Sequence, residues 1–202
     1  MKLYYMPGAC SLTDHIALEW IGKPYEAEKL DHDEIKKDWY LKLNSNGAVP
    51  VFEQDDWVLT QNVAILNYLA DSFPESNLGG DGSARSRAEI NRWLAFLNAD
   101  VHPAFRPLFG ATDYLGDDTA AKTKKKARTR LRDLFGQANK QLQGREWLTG
   151  SRSIADPYLF VVLRWAKSMK VDLSGYDNLE RFFERMSKDS AVQKVLKEEG
   201  LS

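Results

Sequence analysis

The chain has 202 residues, of which 43% are hydrophobic and 28% are charged, a composition that excludes a disordered polypeptide and allows a sizeable core. Its net charge of −1 gives no reason to expect a nucleic acid or a membrane surface as a partner, and no stretch approaches the roughly 20 apolar residues of a membrane span. One cysteine, three histidines and the absence of a signal-peptide pattern predict no disulfide framework, no metal site and a cytoplasmic location.

Short strand-like runs alternate with helical segments in the first part of the chain. In chain order, the patterns predict a strand at 2–6, a helix at 11–21, a strand at 25–30, an irregular helix or loop at 33–43, a hairpin at 49–59 and a helix at 63–73. A β-α-β start requires a parallel strand pair with a right-handed crossover, to which the hairpin adds antiparallel strands. The sequence therefore predicts a small α/β domain with a mixed sheet.

A glycine-rich segment, SNLGGDGSA at 76–84, is typical of a connection between two domains. We place the first domain at 1–78, the linker at 79–84 and the second domain at 85–202. Helical patterns follow the linker at 90–105, 119–142, 153–169 and 179–196. The predicted architecture is an α/β domain followed by an all-helical domain.

Two local signals in the second domain favour structural roles. Ser153 and Asp156 have the spacing of a capping box, and the apolar residues after them predict that this helix is the buried centre of the domain. The cationic run from Lys122 to Arg132 contains no aromatic residue. We interpret it as a solvated helix face and not as a nucleic-acid surface.

Cys10 is the first candidate for chemistry, because it follows a strand and a Pro-Gly turn at the start of the first helix. Unpaired N–H groups and the positive helix end would favour a thiolate there and lower the cysteine pKa below its usual value of about 8.5. Ser11 could donate to that thiolate or cap the helix, and Tyr5 could offer its hydroxyl to the sulfur. The alternative is that Cys10 is a small buried hydrophobe.

Two further positions stand out from the residues alone. Pro50 begins a strand after a turn, and a cis bond there would expose the backbone of Val49 to a peptide-like ligand; a trans proline at a strand start is the alternative. His102 shares a helix face with small residues such as Ala95 and Ala99, which leave room for a ligand. The alternative for His102 is a surface or hinge histidine.

Several segments occur together in the order of a known family: YYMPGACSLTDHIAL, NGAVPVF, TQNVAILNYLAD, RWLAFLNADVHPAF and SIADPYLFVVLRWA. With the two-domain plan, they resemble the bacterial beta-class glutathione transferases over essentially the whole chain. The resemblance implies a thioredoxin-like domain that binds glutathione, an all-helical domain that lines the pocket for an electrophile, and a homodimer. It implies glutathione as co-substrate and no further cofactor.

The resemblance also implies roles for individual residues. In the family, the cysteine that matches Cys10 lies beside the glutathione sulfur and can form a mixed disulfide with it. The histidine that matches His102 reaches the same site from the helical domain. Pro50 matches the family's cis-proline, and the residue that matches Val49 pairs through its backbone with the cysteinyl part of glutathione.

The chain departs from the family pattern at several positions of the implied glutathione site. Gln61 and Asn62 match the pair that grips the γ-glutamyl end, where many members carry an acidic and a small residue. Ala95 and Pro103 replace an asparagine and a lysine that flank the family's histidine. The lysine that meets the glycine carboxylate falls in a gapped region, which leaves as candidates His32, Lys36 and Lys37.

The predicted function is conjugation of glutathione to hydrophobic electrophiles, with thiol–disulfide exchange through Cys10. Catalysis depends on lowering the pKa of the thiol in the site, because only a thiolate attacks the electrophile or the disulfide. Two alternatives stay open: a glutathionyl reductase or lyase with Cys10 as its nucleophile, and a non-enzymatic ligand carrier or regulator. The resemblance also predicts that the homodimer forms through the helix at 85–108 and the segment at 61–73.

Overall fold

A computed structural model describes residues 1–201 and places a four-stranded sheet in the first part of the chain. Its strands are β1 (Lys2–Tyr5), β2 (Glu26–Lys29), β3 (Val51–Gln54) and β4 (Trp57–Thr60). They lie in the order β2-β1-β3-β4, with β1 parallel to β2 and the other neighbours antiparallel. The predicted β-α-β start and antiparallel hairpin are therefore confirmed.

Three helices complete this part: α1 (Leu12–Ile21), α2 (Asp38–Leu43) and α3 (Asn62–Ser72), with 3₁₀ turns at Glu34–Lys36 and Pro74–Ser76. Helix α1 ends where predicted, because Gly22 adopts φ 71° and donates its N–H to the carbonyl of Leu18. Alternation along β1 sends Leu3 and Tyr5 to the main core and Tyr4 to a smaller core on the other side of the sheet.

The rest of the described chain is helical. Its helices are α4 (Ala84–Phe96), α5 (His102–Ala104), α6 (Asp117–Gln141), α7 (Ala155–Ser168), α8 (Asp177–Lys188) and α9 (Ser190–Glu198). Helix α4 begins one residue inside the predicted linker, where Ser83 accepts the N–H of Ser86. Among residues 1–201, no helix is long and apolar enough to cross a bilayer.

A π turn, Leu97–Val101, joins α4 to α5, so that the chain continues as one long helical segment. The N–H of His102 bonds to the carbonyl of Leu97, five residues back. Pro103 has no N–H with which to continue an α-helical ladder. The predicted long helix is therefore present, with an irregular turn directly before His102.

Helix α7 forms the buried centre of the helical part, as its apolar sequence predicts. The capping box is also present: Asp156 Oδ2 accepts the N–H of Ser153 at 2.8 Å, and the Ser153 hydroxyl accepts the N–H of Ala155 at 3.3 Å. The other oxygen of Asp156 accepts the N–H of Leu148 at 3.0 Å. This carboxylate joins the start of α7 to the loop before it, and burial raises its pKa to about 6.

The single helix predicted at 179–196 is wrong, because the structure has two helices there. Asp189 stands between them and accepts the N–H groups of Ala191 and Val192, which makes it the N-cap of α9. A capping aspartate inside a periodic apolar run is the signal that could have located the break. The cationic run at 122–132 lies on α6, with Lys122, Lys125 and Arg130 exposed as the predicted solvated face requires.

The two parts meet where α1 packs against α7 and α9. The turn before Cys10 is held from the helical side at Gly8. The N–H of Gly8 donates to Glu199 Oε2 at 2.9 Å, and its carbonyl accepts the indole N–H of Trp165 at 2.7 Å. Gly8 itself adopts φ 71°, a conformation that glycine tolerates best. Cys10 therefore lies on a turn that both parts of the protein hold in place.

Candidate active site

A cavity of ≈ 290 Å³ opens between the α/β part and the helical part. Its walls combine side chains from both: Cys10, Asn44, Asn46, Ala48, Val49, Pro50, Gln61, Asn62, Asn98, His102, Arg106 and Tyr158. The six residues to which the family resemblance gives a role, Cys10, Val49, Pro50, Gln61, Asn62 and His102, all line it. Residues as far apart in the chain as Cys10 and Tyr158 thus meet at one place.

The Cys10 thiol is neutral and donates to the carbonyl oxygen of Val49, with a sulfur–oxygen distance of 3.6 Å. Burial is the main cause that raises the Cys10 pKa to about 12, and the Asp14 carboxylate acts in the same direction. The N–H groups of Cys10 and Ser11 lower the pKa, but by less. The expected lowering of the pKa below that of free cysteine is therefore wrong, because desolvation outweighs the helix end.

The structure also corrects the accessory roles expected for Ser11 and Tyr5. The Ser11 hydroxyl accepts the N–H of Met6 at 3.2 Å and donates to the Met6 carbonyl at 3.3 Å, so it neither caps α1 nor meets the sulfur. Tyr5 points to the opposite side of the sheet, where its ring lies 5.1 Å from that of His15 and lines a separate groove. The alternation of side chains along β1 explains why Tyr5 is absent from the walls of the Cys10 cavity.

The lysine expected to meet a carboxylate is not at the cavity. Lys36 lies on the surface, where its ammonium is 3.7 Å from the Asp33 carboxylate. Neither Lys37 nor His32 lines the cavity. The cation present there is Arg106, which the sequence analysis missed. Its spacing of four residues from His102 was the available signal, since residues i and i+4 share a helix face.

The Val49–Pro50 bond is cis, and the backbone beside it is held in place. The carbonyl of the preceding residue, Ala48, accepts hydrogen bonds from the Tyr40 hydroxyl at 2.8 Å and from the Asn44 amide at 2.7 Å. Within residues 1–201, the N–H of Val49 donates to no protein acceptor. Val49 therefore presents a fixed peptide edge at the wall of the cavity.

Gln61 and Asn62 both line the cavity, and Asn62 also contacts the buried Asp14 side chain. Gln61 adopts φ 75°, a strained conformation for a residue other than glycine, directly before the first residue of α3. In the amide orientation that satisfies its neighbours, Asn62 Nδ2 donates to Oδ2 and Oδ1 of Asp14 at 3.0 and 3.1 Å. Burial raises the Asp14 pKa well above its usual value. The sequence analysis missed Asp14, whose signal is an acid inside the apolar face of α1.

His102 belongs to a hydrogen-bonded set on the helical wall. The Tyr158 hydroxyl donates to Asn98 Oδ1 at 3.1 Å, and His102 Nδ1 lies 2.8 Å from the same hydroxyl. With the Tyr158 hydrogen directed to Asn98, the hydrogen of His102 is on Nδ1 and its basic nitrogen is Nε2. Burial, and then the positive charge of Arg106, lower the His102 pKa. His102 is therefore a neutral base at pH 7.

Comparison with known proteins agrees with this fold. Residues 1–71 match the model of the glutathione S-transferase N-terminal domain, and residues 89–189 match that of the C-terminal domain. Glutathione S-transferase GST-4.5 of Xanthomonas campestris pv. campestris is 55% identical, with 100% of both chains covered. The chain therefore belongs to the glutathione S-transferase family.

Solved structures narrow the assignment within the family. A glutathione S-transferase from Xylella fastidiosa has a TM-score of 0.97 and 53% identity, with 100% of this chain and 99% of that one covered. A bacterial beta-class enzyme from Sphingomonas chungbukensis has a TM-score of 0.88 and 37% identity, with full coverage of both chains. A sphingomonad glutathione S-transferase complexed with glutathione has a TM-score of 0.87 and 35% identity, also with full coverage.

These similarities confirm the predicted beta-class resemblance, the fold class and the glutathione transferase activity. The protein is a glutathione S-transferase, with glutathione as its co-substrate.

Proposed function

We propose that this cavity conjugates glutathione to hydrophobic electrophiles, with Val49, Gln61 and Asn62 contacting glutathione and Cys10 and His102 beside its sulfur. The observation that carries the proposal is the convergence of these residues on one cavity of ≈ 290 Å³. A relative of the same fold is complexed with glutathione, which supports the choice of ligand.

The backbone of Val49 suits a peptide-like ligand. Its N–H is unpaired within the described chain, and its carbonyl is bonded only by the Cys10 thiol, a weak donor. A glutathione backbone that pairs with both groups replaces a weak contact by stronger amide hydrogen bonds. The fixed carbonyl of Ala48 keeps this edge in place before the ligand arrives.

The raised pKa of Cys10 favours conjugation over chemistry in which Cys10 is the main nucleophile. A neutral thiol donates a hydrogen bond, and a donor beside the glutathione sulfur stabilises that sulfur as the attacking thiolate. Exchange through Cys10 itself is then the slower reaction, because only the thiolate exchanges. A single cysteine kept in its thiol form also fits the reducing cytoplasm, where we propose that the protein acts.

An aromatic wall beside His102 suits an apolar electrophile. The rings of His102 and Trp165 are 4.8 Å apart, and Trp165 is 5.3 Å from Phe109. Phe109 is 46% exposed, so part of its ring is accessible to a ligand. A flat, apolar substrate laid on Phe109 would lie beside Trp165, whose ring contacts His102 on the cavity wall.

Binding and turnover test this function directly. We expect calorimetry to detect glutathione binding and 1-chloro-2,4-dinitrobenzene to be conjugated in its presence. His102→Ala is expected to lower kcat/KM by roughly ten- to a thousandfold if His102 transfers a proton, and by less if it only contacts the ligand. Cys10→Ala is expected to lower conjugation only in part and to abolish the mixed disulfide with oxidised glutathione.

His32→Ala is the matched control, because His32 is exposed and does not line the cavity. Its kinetics are expected to equal those of the wild type. A wild-type protein that binds no glutathione and conjugates neither this electrophile nor a panel of others would contradict the proposal.

We also propose a homodimer that uses the helical segment at 85–108 and the segment at 61–73. The exposed Trp57, packed against Tyr68 of α3 at 4.8 Å between ring centroids, leaves apolar surface beside this face. Sedimentation equilibrium at micromolar concentration is expected to give twice the chain mass of 23.0 kDa. A species of one chain mass under these conditions would refute the dimer.

A further inference from the structure

Arg106 is a cation at the cavity whose charge has no acidic partner among residues 1–201. It begins the 3₁₀ turn Arg106–Leu108 directly after the buried Phe105, which anchors its backbone. Its side chain is exposed, and none of its guanidinium nitrogens makes a hydrogen bond within the described chain. The five N–H donors of the guanidinium are therefore available to a ligand.

Within the described residues, Arg106 is also the only permanently charged side chain on the wall of this cavity. The nearby polar side chains are amides, such as Asn46 and Asn98, and the neutral His102. None of them can neutralise a guanidinium. An arginine in this situation binds a carboxylate best, because its planar fork forms two parallel hydrogen bonds to the two oxygens.

The position of Arg106 indicates which reactant brings the carboxylate. Arg106 lies on the helical side of the cavity, beside His102 and three residues before the exposed Phe109. The Phe109 ring stacks on Phe105 with 5.6 Å between centroids and an interplanar angle of 14°. The residues proposed to contact glutathione lie on the opposite, α/β side.

We propose that Arg106 makes this enzyme selective for electrophiles that carry a carboxylate, namely apolar or aromatic acids whose ring lies on Phe109. This inference rests on the proposed conjugating function. Glutathione also has carboxylates, and the experiment distinguishes them from that of the electrophile.

The test uses two electrophiles that differ only in this group, 4-chloro-3,5-dinitrobenzoate and the neutral 4-chloro-3,5-dinitrobenzamide. In both reactions the glutathione sulfur bonds to the ring carbon, the carbon–chlorine bond breaks, chloride leaves with the electron pair, and the thiol proton goes to solvent. The measured quantity is the ratio of kcat/KM for the benzoate to that for the benzamide. Differences in intrinsic reactivity cancel when this ratio is compared between variants.

Arg106→Gln is expected to lower the ratio by about ten- to a hundredfold, the effect of losing a hydrogen bond to a charged group. Arg106→Lys is expected to retain part of the preference, because an ammonium keeps the charge and loses the fork. Arg130→Gln is the matched control, since Arg130 is an exposed arginine of α6 that does not line the cavity, and its ratio is expected to equal that of the wild type.

Two results would overturn the inference. An unchanged ratio with a raised KM for glutathione would assign Arg106 to glutathione, and an unchanged ratio with unchanged KM values would remove Arg106 from binding altogether.

A binding measurement separates this inference from the proposed function. Calorimetry with 3,5-dinitrobenzoate, which lacks the leaving group, is expected to show weaker binding to Arg106→Gln than to the wild type. If neither electrophile is conjugated but this difference is found, the proposed function fails and the carboxylate site stands. If both are conjugated and Arg106→Gln binds the acid as the wild type does, the function stands and the carboxylate site is refuted.

Discussion

Asp156→Ala is expected to lower the free energy of unfolding by about 2–4 kcal/mol. The aspartate accepts hydrogen bonds from the N–H groups of Leu148 and Ser153 and from the Ser153 hydroxyl, and all of these groups are buried. Removing the carboxylate leaves the donors without partners at the start of the most buried helix. The gain from no longer burying a carboxylate offsets only part of this loss.

Urea unfolding measures the effect, and Asp133→Ala is the control, because Asp133 is exposed on α6. The control is expected to change the stability by less than about 0.5 kcal/mol. Equal midpoints for Asp156→Ala and the wild type would show that the capping box does not stabilise the fold.

The same carboxylate gives the stability a dependence on pH with a definite sign. The Asp156 pKa is about 6 in the folded chain, above its usual value of 3.8, so the folded state binds the proton more tightly than the unfolded state. The resulting stabilisation is complete below pH 3.8 and is lost as the pH rises through about 6. The free energy of unfolding of the wild type, relative to that of Asp156→Asn, is therefore expected to fall as the pH rises from 3.8 through about 6. A difference in unfolding free energy that stays constant over this pH range would contradict the prediction.

Cys10 is expected to react with iodoacetamide at pH 7 about a hundredfold more slowly than free cysteine, because the greater nucleophilicity of its thiolate offsets part of the loss in thiolate fraction. Only the thiolate reacts, and a pKa of about 12 leaves very little of it at neutral pH. Because Cys10 is the only cysteine, mass spectrometry of the intact chain follows this one reaction. The rate is expected to rise about tenfold with each pH unit from 7 to 9.

The urea-unfolded chain is the matched control for this measurement, since it exposes the same thiol without burial or the Asp14 carboxylate. It is expected to react at the rate of free cysteine. A folded protein that reacts as fast as the unfolded one, or whose rate levels off near pH 8, would show that the helix end controls the thiol after all.

The sequence was sufficient to predict most of the elements and, with the family resemblance, six of the twelve residues that line the cavity. The Pro-Gly turn before Cys10, the turn before Val49 and the start of the helix after Gln61 are each marked by residues adjacent in the chain. Patterns that span only a few consecutive residues can be recognised directly in the sequence. The sequence analysis relied on the family resemblance to bring these segments together with His102.

The predictions that failed depend on surroundings that are distant in sequence. The pKa of Cys10 is set by burial between two parts of the protein, a property that no local pattern contains. Tyr4 and Tyr5 are adjacent in the chain and therefore face opposite sides of the sheet. A shift of one residue in the register of the strand would exchange their sides. Apolar residues recur at helical spacing both before and after Asp189, the residue at which α8 ends. Periodicity alone therefore predicted one helix where the structure has two.

The π turn at 97–101 determines the directions in which the side chains after it point from the same helical segment. Each residue of an α-helix advances the side-chain direction by about 100°, and the wider turn places one additional residue in that rotation. Converting this turn to regular α-helix without removing a residue would rotate His102 and Arg106 together, by about the 100° that one residue contributes, away from the directions they now hold. The conformation of this turn is therefore as important to the cavity as the identity of the residues that line it.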